Sequence, residues 1–267
     1  MFAQENFLNL KFPAVMGIMN VTPDSFSNDG LFNRTEEAIK YAVSLKKYGA
    51  DIIDVGAEST RPGADVLDVE EEINRLKEVV SSLLQKNILI SVDTYKEKTS
   101  IEMLKLGVRI INNVSGIFTE KLIEAVLRYS AKIIVMHSVT IPATKKCQLK
   151  EPEKIMDILL KFFHEKILEL KNCGISEQQI IIDPGFGFGK NLAVNMEILE
   201  KLSLLKQFNV PILAALSRKR FVRKIAEKTE KTPDDTSADL SIMAIKNGAD
   251  IVRIHNVELL KNKMEKM

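Results

Sequence analysis

Several features are scarce in this sequence of 267 residues, and each scarcity excludes a class of protein. It has two cysteines, Cys147 and Cys173, which lack the spacing of metal ligands and any further thiols to pair with, so we expect a reduced, cytoplasmic protein. No stretch approaches the ~18 apolar residues of a membrane span, so no membrane partner is expected. Residues 1–13 have neither a long apolar core nor a small-residue cleavage site, and no signal peptide is expected.

Net charge is also small. A formal charge of +2 gives no basis for binding nucleic acid or an anionic surface, so neither is expected as a partner. The composition, 45% hydrophobic and 28% charged, is that of an ordinary globular protein. Since no Pro-rich or Gly-rich linker and no change of composition divides it, we predict one domain over residues 1–267.

Eight short apolar runs are distributed along the whole chain, and each ends in polar residues. Continuous β-branched runs indicate parallel strands that are buried on both faces. Segments of helical period lie between them, so strand and helix alternate eight times. This pattern predicts an α/β fold, a (β/α)8 TIM barrel, rather than an open doubly wound sheet of about five to seven strands. The runs lie at 15–19, 52–55, 88–92, 110–111, 133–136, 180–182, 212–216 and 251–252.

The helices have recognisable starts and ends. Thr35 and Asp68 are predicted N-caps, and Gly107, Gly174 and Gly248 lie where helix C-termini are expected. A Gly-Ala-Asp-Ile sequence occurs twice, at 49–52 and 248–251, and indicates a reused turn from helix to strand. Further helices are predicted at 97–106, 119–130, 152–173, 192–208, 219–228 and 236–247.

Cationic residues follow the last two predicted strands. Arg253 and His255 are two apart, so they point the same way, toward the barrel axis or its rim. Ser217-Arg218-Lys219-Arg220 begins a helix after the seventh strand, and loops after strands seven and eight commonly hold phosphate in such barrels. With Arg61 from a long loop, these residues predict a substrate that carries phosphate or pyrophosphate. Salt bridges at the rim would explain one or two of them, but not all.

Acceptors end three other strands: Asp93, Asn112 and Asp183. Buried acids are costly unless they are satisfied, and a guanidine-like edge with two parallel N–H donors would satisfy them. An amino-pyrimidinone or pterin has that edge. Two alternatives stay open, in which Asp93 and Asp183 are metal ligands or ion-pair partners of Lys219. Asp54 and Glu58 follow the same logic less specifically.

Three connections after strands are unusual. Those at 20–30 and 56–65 are longer than the ~2–6 residues typical of such loops, so they are predicted either to cover the site or to be ordinary surface loops. The third, Asp-Pro-Gly-Phe-Gly-Phe-Gly-Lys at 183–190, fits neither the Walker loop nor the dinucleotide pattern. Its glycines allow a tight turn that would offer Phe188 to a flat ligand.

Taken together, these motifs resemble those of the dihydropteroate synthases, over practically the whole chain and in the right order. The most specific are Asn-Val-Thr-Pro-Asp-Ser-Phe at 20–26 and Ser-Thr-Arg-Pro-Gly at 59–63. The others are Ser-Val-Asp-Thr at 91–94, Ile-Asn-Asn-Val at 111–114, Met-His at 136–137, the glycine-rich segment at 183–190, Ser-Arg-Lys at 217–219 and Val-Arg-Ile-His at 252–255.

The resemblance implies an activity. Enzymes of this family are transferases that join para-aminobenzoate to 6-hydroxymethyl-7,8-dihydropterin pyrophosphate by an SN1-like substitution. They release pyrophosphate and form 7,8-dihydropteroate for folate biosynthesis. The family also implies a homodimer, a Mg2+ cofactor and a role as a sulfonamide target.

Site residues follow from the same resemblance. Catalytic roles are implied for Arg61, Lys219, Arg253 and His255, and a Mg2+ contact for Asn20. Arg253 would stack on the pterin ring and, with Arg61, His255 and Asn20, hold the pyrophosphate. The pterin contacts would be Asp93, Asn112, Met136, Asp183 and Lys219, and the aminobenzoate contacts Thr60, Pro62, Phe188 and Arg220.

Departures and alternatives remain. Asn113 and Asn256 stand where the family usually has Asp, Ala215 where Gly is frequent, and Arg220 where Ser often contacts the aminobenzoate carboxylate.

A pterin-binding methyltransferase would share the acceptors but would not need the Ser-Thr-Arg-Pro-Gly loop. A Schiff-base aldolase would use Lys219 as its nucleophile. A pterin-binding protein without activity is the non-enzymatic alternative.

Overall fold

The structure of the chain is a computed structural model, and it describes residue 8 and residues 10–21, 31–58, 67–139 and 149–267. Within these ranges, eight strands alternate with helices along the chain. The strands are β1 Ala14–Asn20, β2 Ile52–Gly56, β3 Ile90–Asp93, β4 Ile110–Asn113, β5 Lys132–Met136, β6 Ile180–Asp183, β7 Leu213–Ala215 and β8 Ile251–Ile254. The helices are α1 Leu31–Lys47, α2 Val69–Gln85, α3 Glu97–Leu106, α4 Glu120–Arg128, α5 Pro152–Asn172, α6 Leu192–Glu200, α7 Arg220–Thr229, α8 Pro233–Lys246 and α9 Val257–Met264.

All strand pairs are parallel, in the spatial order β6-β5-β4-β3-β2-β1-β8-β7. The two outer strands meet through a single bridge between Ile182 and Ile212, where the Ile182 N–H donates to the Pro211 carbonyl at 2.9 Å. The sheet therefore forms a nearly closed barrel surrounded by helices. The predicted (β/α)8 TIM barrel is confirmed.

The helix predictions are mostly confirmed, with four differences. Asp68 is the N-cap of α2, as predicted, and its carboxylate accepts from the Glu70 N–H at 2.8 Å. However, α1 starts at Leu31 rather than after Thr35, and α8 starts at Pro233 behind an N-cap at Thr232. The segment predicted as one helix at 192–208 divides into α6 and a 3₁₀ helix, Leu202–Phe208, and α9 was not predicted.

The interior of the barrel has an apolar layer below a polar one. The lower layer consists of inward side chains near the amino ends of the strands, and Leu8, Leu10 and Phe12 pack against it. Because successive side chains on a strand alternate in direction, residues two positions further along point inward above this layer. This upper layer is polar and contains the predicted acceptors. The lower layer is Ala14, Met16, Ile52, Ile110, Ile134, Ile181, Leu213 and Ile251.

The repeated Gly-Ala-Asp-Ile turn performs the same structural task twice. The Asp51 carboxylate accepts from the Val15 N–H at 2.8 Å, and the Asp250 carboxylate accepts from the Ile212 N–H, also at 2.8 Å. Each aspartate therefore satisfies a backbone donor where the neighbouring strand begins, at the end of the barrel opposite the polar layer. This confirms that one turn is reused. None of the described helices is long and apolar enough to cross a lipid bilayer.

Candidate active site

A buried ion-pair cluster lies at the carboxyl ends of the strands. The Arg253 side chain of β8 crosses the barrel: its Nε donates to Asp54 Oδ2 at 2.6 Å, and its Nη2 donates to Asp93 Oδ2 at 2.8 Å. Asp54 is fully buried, and Arg253 is 16% exposed. The sequence analysis placed the cations opposite the acceptors, whereas the structure joins Arg253 to two of the acids directly. Since β-barrel strands tilt and close, such partners need not be neighbours in sequence.

The cluster leaves acceptors without donors. Asn112 Nδ2 donates to Asp54 Oδ2 at 3.2 Å, and its Oδ1 accepts no hydrogen bond from the described residues. Asp54 Oδ1 and Asp93 Oδ1 are buried and have no hydrogen-bond partner within the described ranges. Buried polar atoms without partners are costly in a folded protein and often mark where a ligand binds. The upper layer therefore offers acceptor oxygens to a ligand that carries N–H donors.

A second group of site residues lies across the barrel, at the end of β6 and the start of α7. Asp183 Oδ1 accepts from the Gly185 N–H at 2.7 Å, and Met136 is its register partner on β5. Lys219 precedes α7, and its Nζ donates to the Phe186 carbonyl and lies 4.7 Å from the centroid of the Phe188 ring. A carboxylate, an ammonium group and an aromatic face are therefore brought together.

Burial sets the charge balance of these groups. It raises the pKa of Asp93 to about 7, although the Arg253 guanidinium opposes the change. Burial also raises the pKa of Asp183, and the Lys219 ammonium opposes that shift. For Lys219 itself, burial lowers the pKa to about 8, with Asp183 acting in the other direction. Three titratable groups with strongly perturbed pKa values in one concave site are typical of a functional site.

The glycine-rich segment after β6 forms the predicted tight turn. Gly185 has a φ of +68°, and a Cβ there would lie 1.9 Å from the His137 carbonyl oxygen, so only glycine fits. The turn is held by Lys190, whose buried Nζ donates to the carbonyls of His137, Gly185 and Phe188 at 3.1, 2.8 and 3.2 Å. Burial lowers the pKa of Lys190 to about 7.

The predicted cationic corner is only partly formed. Ala215 and Arg253 are register partners on neighbouring strands, and Ser217 and His255 lie two residues beyond them. Ser217 Oγ is 2.8 Å from His255 Nδ1. Arg218 does not join them. Its φ is +55°, and its guanidinium binds Asp234 with Nε and Nη2 at 2.6 and 2.8 Å. The prediction that all the cations after strands seven and eight share one corner is therefore wrong for Arg218.

The remaining predicted site residues lie at the barrel rim or outside the described residues. Arg220 is exposed at the first position of α7, and Phe188 is half-buried. Thr60, Arg61 and Pro62 lie outside the described residues, as does Cys147. Glu58 ends the described part of its loop and binds Lys96 at 2.5 Å instead of entering the barrel mouth.

Asn20 is the predicted Mg2+ contact. It ends β1 beside Gly56 of β2, and its Oδ1 would be 3.8 Å from a Cβ at Gly56, so the missing side chain leaves room beside that oxygen. The described residues contain no group of three His, Cys, Asp or Glu side chains that could hold a metal ion. A single neutral oxygen suits Mg2+, which keeps most of its waters and binds substrate phosphates. The residues present therefore fit this ion.

Comparison with known proteins agrees with the geometry. The sequence pattern of the family described as "Pterin binding enzyme" matches residues 16–255. The dihydropteroate synthase of Escherichia coli (strain K12) is 38% identical over 262 residues, which are 97% of this chain and 92% of that protein. This chain belongs to the dihydropteroate synthase family. The polar layer of the barrel is therefore the candidate for its active site.

Solved dihydropteroate synthases have the same fold. The Xanthomonas albilineans enzyme with 4-aminobenzoic acid is 33% identical, with a TM-score of 0.85, and the match covers 96% of this chain and 92% of that one. The same enzyme in complex with 7,8-dihydropteroate gives 31% identity and a TM-score of 0.82 at the same coverage. These relatives favour dihydropteroate synthesis over the methyltransferase and aldolase alternatives.

Two buried residues of this site have only a weak signal in the sequence. Asp54 lies in the middle of an apolar run, two positions after Ile52, so both side chains point into the barrel. A carboxylate at such a buried position is costly unless it is satisfied, and it therefore indicates a polar site. Lys190 ends the glycine-rich segment, but the three carbonyls that it binds come from two loops, so its role depends on tertiary structure.

Proposed function

We propose that this chain condenses para-aminobenzoate with 6-hydroxymethyl-7,8-dihydropterin pyrophosphate, releasing pyrophosphate and forming 7,8-dihydropteroate. The observation that carries the proposal is a buried acceptor without a donor, Asp93 Oδ1, beside the open Asn112 Oδ1. A pterin ring presents N–H donors along one edge, and carboxylate and amide oxygens satisfy such donors.

The pterin occupies the barrel mouth between the two groups of site residues. Asp93 and Asn112 accept from one part of its edge, while Asp183 accepts from another. The Arg253 guanidinium is held by Asp54 and Asp93, so its flat face is available for stacking on the ring. Lys219 lies between Asp183 and Phe188 and supplies a positive charge near the ring.

The reaction breaks the bond between the pterin methylene carbon and the pyrophosphate oxygen. The electron pair leaves with pyrophosphate, and positive charge develops on the methylene and spreads into the ring. Arg61 and His255 stabilise the departing anion, while the carboxylates stabilise the cationic ring. The neutral aniline nitrogen then bonds to the methylene carbon and loses a proton to water. When bound at Asn20, Mg2+ supplies further positive charge to the leaving group.

The aminobenzoate lies on the outer side of the pterin. Phe188 offers an aromatic face there, and Arg220, at the first position of α7, offers a guanidinium for the carboxylate in place of the usual serine. The family resemblance adds Thr60 and Pro62 to this subsite, and both lie outside the described residues. Sulfonamides, which the family resemblance implies as ligands, would compete with aminobenzoate for it.

The direct test is release of pyrophosphate on mixing the chain with both substrates, with each omitted in turn. Release that needs both substrates, together with formation of dihydropteroate, is the expected result. Pyrophosphate release without aminobenzoate would indicate hydrolysis instead. Trapping of Lys219 by borohydride with a carbonyl substrate would favour the aldolase alternative.

Two further parts of the proposal come from the family resemblance. Mg2+ is the cofactor, supported by the single amide oxygen of Asn20, and activity should be lost on chelation and restored by Mg2+. The assembly is a homodimer, which light scattering on the purified chain would test against the mass of one chain, 30.1 kDa. The cytoplasmic location stays a prediction.

Arg61→Ala should lower kcat much more than pterin affinity, because its proposed partner is the leaving group. Removing one donor that stabilises transition-state charge costs about 100-fold in kcat. Steady-state kinetics and calorimetry with 6-hydroxymethylpterin, which lacks pyrophosphate, would separate the two effects. Arg109→Ala is the matched control, since Arg109 is an exposed arginine just before β4, at the other end of the barrel. An unaltered kcat in Arg61→Ala would refute the assigned role.

A further inference from the structure

Asp54 is a buried carboxylate that the proposed reaction does not use directly. It has 0% exposure, and its Oδ2 accepts two hydrogen bonds, from Arg253 Nε at 2.6 Å and from Asn112 Nδ2 at 3.2 Å. These two donors belong to the two side chains that would contact the pterin ring most closely. Asp54 therefore touches both of them from behind the pocket.

The contact with Asn112 fixes the direction of an amide. An amide side chain presents amino hydrogens on one side and a carbonyl oxygen on the other. Because Nδ2 of Asn112 donates to Asp54, its Oδ1 must face the barrel mouth. Turning the amide over would place its oxygen against the Asp54 carboxylate, leaving two acceptors in contact in a buried site, which is costly. The carboxylate thus forces Asn112 to act toward a ligand as an acceptor.

The contact with Arg253 occupies N–H donors of the guanidinium that could otherwise point at a ligand. Its Nε and Nη2 are both used by acids, Asp54 and Asp93, so the edge of the guanidinium points at the carboxylates rather than at a ligand in the mouth. On this side of the ring, Asp93 and Asn112 then offer acceptors. A heterocycle with donors along its edge is favoured, and one with a carbonyl in that place is disfavoured.

We propose that Asp54 is a positioning residue that sets the specificity of the pocket for a donor-edged heterocycle, by holding the Asn112 amide in one orientation. This inference rests on the proposed function and goes beyond it, because Asp54 itself acts only through Asn112 and Arg253. An acceptor at the position of Oδ2 is required in this role, because both donors converge on that one atom. A side chain without an acceptor there would leave the Asn112 amide free to turn over.

The experiment compares two ligands that differ at one group. In 6-hydroxymethylpteridin-4(3H)-one, a hydrogen replaces the 2-amino group of 6-hydroxymethylpterin, so one donor is lost and the ring nitrogens keep their roles. Calorimetry on the wild-type chain and on Asp54→Leu gives the ratio of the two affinities. We expect the wild-type chain to prefer the pterin, and Asp54→Leu to lower that preference about tenfold, the effect of one hydrogen bond.

A matched control is available in the same layer. Ser91 is the register partner of Asp54 on β3, is equally buried, and its Oγ has no hydrogen-bond partner among the described residues. Ser91→Ala should leave the preference unchanged. A preference that stays at the wild-type value in Asp54→Leu, even if both affinities fall equally, would show that Asp54 is merely structural and would overturn the inference.

Other outcomes are also decisive. If the wild-type chain binds neither ligand, both the proposed function and this inference are refuted. If Asp54→Leu does not fold, as thermal unfolding would show, Asn112→Ser replaces it, because that change removes the amide and leaves Asp54 in place. A loss of preference in Asn112→Ser supports the inference, and an unchanged preference overturns it.

Discussion

Asp183→Asn is expected to lower the affinity for 6-hydroxymethylpterin by at least about 100-fold while the fold stays intact. The carboxylate accepts from the Gly185 N–H at 2.7 Å and faces the Lys219 ammonium. In the variant, the amide oxygen can keep the bond to Gly185, but the amino group then points at the donors of the ring. Two donors would meet, and the negative charge near the Lys219 ammonium would be gone. Calorimetry gives the affinity.

Thermal unfolding measured alongside should show little change for Asp183→Asn, because the Gly185 contact that shapes the turn is kept. Asp157→Asn on α5 is the matched control, since it makes the same chemical change at an exposed position and should alter neither quantity. If Asp183→Asn bound the pterin as tightly as the wild-type chain, the assigned acceptor role would be refuted.

Arg253→Met should cost the chain both turnover and stability. The guanidinium is the hydrogen-bonded counterion of Asp54 and Asp93, and removing one partner of a buried ion pair typically costs ~3–5 kcal/mol. Turnover should fall as well, because the variant loses a cation beside the leaving group and a flat group against the ring. Urea unfolding and steady-state kinetics measure the two effects.

The loss of stability in Arg253→Met should depend on pH in a definite direction. Burial already raises the pKa of Asp93 to about 7, and Arg253 opposes this, so its removal raises that pKa further. A carboxyl whose pKa is higher in the folded than in the unfolded state favours folding at low pH, and this contribution is lost as pH rises through the folded-state pKa. The free energy of unfolding of the variant should therefore be lower at pH 8 than at pH 5.

Arg218→Met provides the comparison for this prediction. Arg218 also pairs with an acid, Asp234, but it is 40% exposed, and exposed pairs contribute about 0–1 kcal/mol. A loss of stability in Arg253→Met no larger than in Arg218→Met, or one that grows toward low pH, would contradict the account of the buried cluster.

Much of this architecture follows from the sequence because it depends on local pattern. Apolar runs such as Ile180–Ile182 within β6 indicate buried strands. Side chains alternate in direction along a strand, so Arg253 and His255, which are two apart, are expected to point the same way. The acceptors were found because they end such runs. The N-cap of α8 was also recognisable, since Thr232-Pro233-Asp234-Asp235 has the signature of a helix start, and it was overlooked.

What could not be predicted depends on contacts that are distant in sequence. Asp54 and Arg253 lie 199 residues apart, and only the closure of the barrel brings them together. The direction of Arg218 depends on a positive φ and on Asp234 of the next helix, neither of which its own neighbours reveal. Helix α9 is short and follows the last strand, where the alternation of elements no longer indicates what comes next.

The single bridge between β6 and β7 has a consequence for the unliganded barrel. Seven of the eight strand contacts are ladders, while this eighth is one pair, Ile182 and Ile212. Asp183 and Lys219 lie on opposite sides of that seam. A heterocycle bound by both residues would connect the two strands where they share the fewest hydrogen bonds. Binding of substrate would therefore raise the stability of the folded barrel.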